Sequence, residues 1–143
     1  METNVTNQIV LWCQQPFVAQ GLAAVLGAGS ECQLLARETL PDALACLKTA
    51  RPALVLVYVT AGVGLADLHE LAAATHSPIV LWGGELGGDF AYQAVQLGVR
   101  GILPSHMSIE GLLSALQNIR GGGLCFEREL TENLLCQKRS LLF

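Results

Sequence analysis

Short apolar runs alternate with longer segments of helical periodicity along most of the chain. The runs cover residues 8–13, 31–37, 53–59, 79–83 and 101–103, and several are almost unbroken stretches of Val, Ile and Leu. Strands that are buried on both faces of a parallel sheet have this composition. The pattern therefore predicts the strands of a parallel sheet.

The segments between these runs carry apolar residues at the spacing of one helix face. In the last segment Ser108 can cap the first turn, and the glycines at 121–123 follow its end. The second segment begins at Thr39, which can also cap a helix, and Pro41 suits a first turn. The clearest apolar stripes are Val18, Leu22, Val25 and Leu26; Leu65, Leu68 and Leu71; Phe90, Ala94 and Leu97; and Ile109, Leu112, Leu113, Leu116 and Ile119.

Repeated strand–helix units of this kind predict an α/β fold with an open, doubly wound parallel sheet. In such sheets ligands bind outside the carboxyl ends of the strands, at the topological switch point. The candidate functional residues are therefore those at or just after the strand ends. They are Cys13, Gln14, Tyr58, Gly83 and Ser105.

The composition indicates one domain with more apolar surface to bury than usual. The 143 residues suffice for a single domain with its own core. Hydrophobic residues make up 52% of the chain and charged residues only 14%, against about 25% charged residues in an average globular domain. Either the core is unusually complete, or part of the surface is buried against a partner.

The distribution of apolar and charged residues disfavours several classes of function. The longest apolar stretch, residues 52–66, is interrupted by Thr60 and by glycines, and it is shorter than the about 20 residues of a membrane span. The polar N-terminus lacks the basic start of a signal peptide. A net charge of −4 argues against nucleic-acid binding by this domain itself. We expect a cytoplasmic domain whose widely spaced cysteines are reduced.

The residues around the strands resemble a response-regulator receiver domain, in particular the receivers of LuxR-type helix-turn-helix transcription factors. The likeness runs from about residue 8 to 136. The residues that carry it are Pro16, Gly21 and Leu22 after the first strand, Arg51 and Pro52 before the third, Pro78 to Leu81 at the fourth, and Ala94, Gly98 and Gly101 to Leu103 at the fifth.

This resemblance implies a flavodoxin-like, five-stranded sheet with strand order 2-1-3-4-5. It implies a receiver-like domain over residues 8–122. Residues 123–143 would form a linker strand and helix leading toward a DNA-binding domain, and the helix-turn-helix itself is not present in this chain. The apolar end at residues 141–143 favours a chain that was cut at a domain boundary.

The positions that carry receiver chemistry do not hold the residues that the resemblance requires. Cys13 and Gln14 stand where an acidic pair would hold Mg²⁺, a metal that prefers carboxylate oxygens. Tyr58 replaces the Asp that accepts the phosphoryl group. Gly83 replaces a Thr or Ser, and Ser105 replaces a Lys. The joint loss predicts an inactive pseudo-receiver that is not an enzyme and needs no metal or cofactor.

Other chemistry at the strand ends is less well supported. Cys13 and His106 could form a thiolate–imidazole pair, but no evident third group orients them, so a buried thiol and a loop histidine are favoured. The glycine-rich run at residues 83–88 matches neither GxGxxG nor a P-loop, which favours a flexible loop. Trp12, Tyr58 and Trp82 either fill the core or the emptied cavity, or form an aromatic ligand cage.

The leading hypothesis is a non-catalytic interaction domain of a signal-transduction or transcription-regulating protein. We expect a homodimer or another protein partner, with DNA contacted only through a helix-turn-helix domain outside this chain and no membrane association. The alternatives are a sensor that binds a small molecule in the former phosphorylation pocket, and a receiver that still accepts phosphate. The expected interaction face consists of Phe90, Ala94, Leu97, Leu112, Leu116 and Ile119.

Overall fold

The computed structural model describes residues 8–27, 33–83 and 87–126, in which strands and helices alternate as the sequence predicts. The elements in chain order are β1 (Gln8–Trp12), α1 (Pro16–Gly27), β2 (Gln33–Arg37), α2 (Leu40–Thr49), β3 (Leu54–Tyr58), α3 (Leu65–Ala74), β4 (Ile79–Trp82), α4 (Gly88–Gln96), β5 (Val99–Leu103), α5 (Ile109–Arg120) and β6 (Cys125–Phe126).

The strands form one parallel sheet in the order β2-β1-β3-β4-β5-β6. The strand order 2-1-3-4-5 that the resemblance implies is confirmed, and β6 adds a short strand beside β5. Gly101 pairs with Cys125 and Ile102 with Phe126. Part of the segment expected to be a linker therefore belongs to the sheet, while its expected helix lies outside the described residues.

Both faces of the sheet are covered by helices, because successive strand residues point to opposite sides. Val10 and Val57 pack with residues of α2, α3 and α4 on one side. Leu11 and Leu56 pack with residues of α1 and α5 on the other. The result is a three-layer arrangement, which explains why the strand sequences are apolar at nearly every position.

The helix caps expected from the sequence are present. The Ser108 side-chain oxygen accepts a hydrogen bond from the Gly111 N–H at 3.0 Å. The Thr39 side-chain oxygen accepts one from the Asp42 N–H at 3.2 Å. Among the described residues, no helix has the length and apolar character needed to cross a membrane.

The expected interaction face is wrong for four of its six residues. Ala94, Leu112, Leu116 and Ile119 are between 0% and 4% exposed and belong to the two core clusters. They form the inward stripes of α4 and α5, and an amphipathic helix turns such a stripe toward its own sheet. Only Phe90 and Leu97 are partly exposed, and both also pack against the core.

Candidate functional site

The candidate residues lie along the carboxyl edge of the four adjacent strands β1, β3, β4 and β5. Backbone pairing continues to the end of this edge, because the Val59 N–H donates to the Trp82 carbonyl at 2.8 Å and the Gly83 N–H to the Leu103 carbonyl at 3.0 Å. Cys13 and Gln14 directly follow β1, Tyr58 ends β3, Gly83 directly follows β4, and Ser105 lies two residues beyond β5.

The ring of Tyr58 lies against the backbone of Gly83. A Cβ atom added to Gly83 would stand 2.6 Å from Cε1 of Tyr58 and 3.0 Å from its Cδ1. Gly83 also has a φ of +88°, in the left-handed region that favours glycine. The side chain at the end of β3 therefore covers the end of β4 and leaves no room there for a larger residue.

Trp82 completes this contact from its own strand. The rings of Tyr58 and Trp82 meet edge to face, with centroids 5.0 Å apart and planes at 67°, an arrangement that aromatic pairs prefer. Both rings pack on the side of the sheet that α1 and α5 cover. The two aromatic residues thus extend the core to the edge where a receiver would carry out its chemistry.

Trp12 does not join this pair, because it points to the opposite side of the sheet. It packs in the cluster of α2, α3 and α4 and is 2% exposed. A cage made of Trp12, Tyr58 and Trp82 together is therefore ruled out. The indole N–H groups of Trp12 and Trp82 are both buried and make no hydrogen bond within the described residues.

Cys13 is a buried thiol on the same side as Tyr58. It is 1% exposed, it belongs to the cluster of α1 and α5, and its Sγ donates to the Gln15 carbonyl at 3.2 Å. Burial raises the pKa of the Cys13 thiol, with hydrogen bonds to backbone groups acting in the opposite direction. The thiolate is the nucleophilic form of a cysteine, and the candidate partner His106 is exposed in the turn between β5 and α5. The geometry therefore favours a core thiol.

Gln14 ties two loops together at the position expected for a metal ligand. The Thr60 hydroxyl donates to Oε1 of Gln14 at 2.7 Å. The Gln14 amide also lies over Gly62, where an added Cβ would be 3.1 Å from Oε1. This contact joins the loop after β1 to the loop after β3, a link that sequence periodicity could not reveal because the partners are far apart in the chain.

Ser105 stands apart from these contacts in the turn between β5 and α5, where it is exposed. The Met107 N–H closes this turn by donating to the Pro104 carbonyl at 3.4 Å. None of the five candidate residues is a carboxylate or a lysine. Across the described ranges, no group of three or more His, Cys, Asp or Glu is placed to hold a metal ion.

A cleft that the sequence did not indicate lies between α3 and α4. Its volume is about 400 Å³. Its walls come from two helices that are separated in the chain, so no local motif marks it. The residues that line it are Leu65, Ala66, His69, Gln93, Gln96 and Leu97.

Most of the chain is similar in structure to receiver domains of response regulators. A LuxR-family two-component response regulator from Aurantimonas sp. SI85-9A1 has a TM-score of 0.77 at 17% identity, covering 94% of this chain and 99% of that chain. A LuxR-family DNA-binding response regulator from Silicibacter pomeroyi has a TM-score of 0.72 at 21% identity, covering 88% and 99%.

The chemotaxis protein CheY4 of Vibrio cholerae has a TM-score of 0.70 at 17% identity, covering 80% of this chain and 99% of that chain. No family model matches the chain, and no curated protein does. The chain has the receiver fold, in agreement with the resemblance seen in its sequence.

Proposed function

We propose that this chain is a pseudo-receiver: a non-catalytic, self-associating interaction domain that works without phosphorylation. The observation that carries the proposal is the position of Tyr58. Tyr58 is the last residue of β3, the position where the resemblance requires the phosphoryl-accepting Asp. Its ring packs against Gly83 and Trp82. A phenol cannot form an acyl phosphate, so the usual input of a receiver has no acceptor here.

The other strand ends support the same conclusion. A neutral thiol and an amide occupy the positions of the metal-binding carboxylates, and the amide of Gln14 is engaged by Thr60. Mg²⁺ is normally held by one or two carboxylates together with phosphate and water. The acceptor and the two metal-ligand positions therefore hold groups that make structural contacts instead, and the position of the cation holds the neutral Ser105.

A receiver normally shifts between two states when it is phosphorylated, and the shift changes the surface that it offers to partners. With the Tyr58 ring packed against Gly83 and Trp82, this domain would present one surface permanently. We place it in the cytoplasm, in a signalling or transcription-regulating protein. Any contact with DNA would come from a separate helix-turn-helix domain, as expected for relatives of the LuxR type.

A small-molecule sensor remains the alternative, but the structure gives little room for a ligand at the strand ends. The Tyr58 ring already contacts Gly83 there, so a ligand would first have to displace the ring and separate it from Trp82. For this reason the interaction domain is the better supported function.

The decisive experiment is incubation with acetyl phosphate and Mg²⁺ followed by intact mass measurement. A receiver that keeps its acidic residues is treated in parallel as the positive control. We expect the control to gain one phosphoryl group and this chain to remain unchanged. A stable phosphorylated species of this chain would overturn the pseudo-receiver proposal.

Self-association is tested separately by size-exclusion chromatography with light scattering over a wide range of protein concentration. The expected result is a mass that rises toward that of a dimer as the concentration increases. A constant monomer mass would reject self-association while leaving the loss of phosphorylation untouched.

A further inference from the structure

The cleft between α3 and α4 combines apolar surface with a polar rim. Leu65 and Leu97 line the cleft, are half-buried and pack against the core cluster of that side of the sheet. The side chains of His69, Gln93 and Gln96 also line it and are exposed. Sites for small organic molecules are typically built in this way, from apolar surface with a few convergent hydrogen-bonding groups.

The polar groups of the rim have hydrogen-bonding capacity that the described chain does not use. Nε2 of Gln96 donates to the Tyr92 hydroxyl at 2.8 Å, which holds the amide and leaves its carbonyl oxygen without a partner among the described residues. The side chains of His69 and Gln93 make no hydrogen bond to a described residue either. An amide offers donors and an acceptor side by side. The rim therefore suits a ligand with a donor and an acceptor on one edge.

The charges around the cleft disfavour an ionic ligand. Among the described residues that line it, none is Asp, Glu, Lys or Arg. Carboxylates and phosphates are usually held by Arg or Lys, and a helix N-terminus can also attract an anion. At the start of α3, however, the Asp67 carboxylate already accepts a hydrogen bond from the Gly64 N–H at 2.9 Å, so an anion would meet a like charge. The ligand that fits is uncharged.

The dimensions of the cleft match a ring system better than a peptide. Its walls run over residues 65–69 and 93–97, which is about 6 Å along each helix axis. Its volume of about 400 Å³ lies within the range of about 300–1,000 Å³ of small-molecule sites. A docked helix would instead need anchor positions over two turns or more.

We infer that the cleft between α3 and α4 binds an uncharged nitrogen heterocycle of the nucleobase type. The ring lies over Leu65 and Leu97, and its hydrogen-bonding edge faces the amides of Gln93 and Gln96. A glutamine amide complements such an edge because it donates and accepts at once, as in its bidentate contact with adenine. This site goes beyond the proposed function, since none of the five strand-end candidates lines it and it does not require self-association.

The first experiment titrates isotope-labelled wild type with adenosine and with uridine, to millimolar concentration, and follows the amide signals by two-dimensional NMR. We expect the signals of residues 65–69 and 93–97 to shift, including the side-chain amides of Gln93 and Gln96. The signals of the strand-end residues Gln14, Tyr58 and Gly83 should stay in place. The matched ligands are N⁶,N⁶-dimethyladenosine and 3-methyluridine, which lack the donor on the pairing edge and should bind about tenfold more weakly.

The second experiment fills the cleft. Ala66 lines it and is exposed, so Ala66→Trp should place an indole in the cleft without disturbing the core. Ala45→Trp is the matched control, because Ala45 is exposed on α2. We expect Ala66→Trp to abolish the shifts that the better-binding nucleoside causes and Ala45→Trp to leave them unchanged. Circular dichroism checks that both variants are folded.

A third comparison tests the role of the rim amide. Gln93→Ala should weaken nucleoside binding by about tenfold, the cost of losing a hydrogen bond whose partner stays unpaired. Gln117→Ala removes an exposed glutamine from α5 and should leave binding unchanged. Equal affinity of the two variants would mean that the amide does not recognise the ligand, which overturns the inference.

Other results would also overturn it. These are no shift with either nucleoside, shifts confined to the strand ends, equal binding of the methylated nucleosides, or tighter binding of adenosine monophosphate than of adenosine. If no nucleoside binds and Ala66→Trp lowers the dimer fraction, the cleft is a protein contact and the inference fails. The proposed function is unaffected by these outcomes, because acetyl phosphate treatment and light scattering test it separately.

Discussion

Tyr58 and Gly83 are matched to one another, since the Tyr58 ring lies where any side chain at position 83 would have to begin. The Cβ of an alanine there would be 2.6 Å from Cε1 of Tyr58. A receiver of the usual type would carry Thr or Ser at this position, and neither is compatible with Tyr58 as it is placed. The two departures from the receiver pattern are therefore linked: the small residue at position 83 accommodates the large one at position 58.

We predict that Gly83→Ala destabilises the fold more than Gly98→Ala does. Both glycines have a positive φ, of +88° and +101° respectively, so each alanine pays about 1–2 kcal/mol for the left-handed conformation. A Cβ at Gly98 meets nothing within 4 Å, whereas one at Gly83 collides with Tyr58. Urea unfolding of the two variants measures the difference.

The Tyr58→Ala background separates the collision from the backbone cost. In this background Gly83→Ala should lower the free energy of unfolding by no more than Gly98→Ala does, because the positive φ is then the only source of strain. Equal costs of Gly83→Ala in both backgrounds would contradict the proposed contact between Tyr58 and Gly83.

The fold was predictable because strands buried on both sides leave an unbroken apolar signature, as in β3 (Leu54–Tyr58). The site positions were predictable too, since strand ends in a parallel sheet share one edge. The contact of Tyr58 with Gly83 was not, because it depends on a ring orientation and a φ angle that no sequence pattern encodes. The interaction face failed for a related reason: the periodicity of Leu112 and Leu116 indicates burial but does not say what buries them.

We predict that Leu116→Ala lowers the free energy of unfolding by about 2–5 kcal/mol, the usual range for removing a buried leucine side chain. Leu116 is 3% exposed and packs between α5 and the sheet. The matched control is Gln117→Ala on the exposed side of the same helix, which should change the free energy by less than about 0.5 kcal/mol. If Leu116→Ala changed the oligomeric state and left the stability unchanged, Leu116 would belong to an interaction surface, as the sequence predicted, and not to the core.

We predict a small but specific coupling between Gln14 and Thr60. Their hydrogen bond of 2.7 Å is solvent-exposed, so Thr60→Val should cost about 0.5–1 kcal/mol. Gln14→Ala should cost a similar amount, and the double variant should cost no more than either single one. A double-mutant cycle by urea unfolding gives the coupling, and fully additive costs would show that the bond does not form in solution.

The last prediction concerns pH and uses the buried thiols. Burial raises the pKa of Cys13, and it raises the pKa of Cys125 in the same way. In the unfolded chain a thiol titrates at about 8.5. The stabilisation from each neutral thiol is therefore complete below that pH and is lost as the pH rises through the higher pKa of the folded state.

Urea unfolding of wild type and Cys13→Ala from pH 7 to pH 10, in reducing buffer, measures this effect. Cys13→Ala also leaves a small cavity, which lowers stability equally at every pH, so the informative quantity is the difference between the two pH profiles. Titration of all other groups cancels in that difference. We expect wild type to lose its advantage over Cys13→Ala as the pH rises above about 8.5. Parallel profiles would mean that the Cys13 thiol ionises as readily in the folded protein as in the unfolded chain, which its burial at 1% exposure argues against.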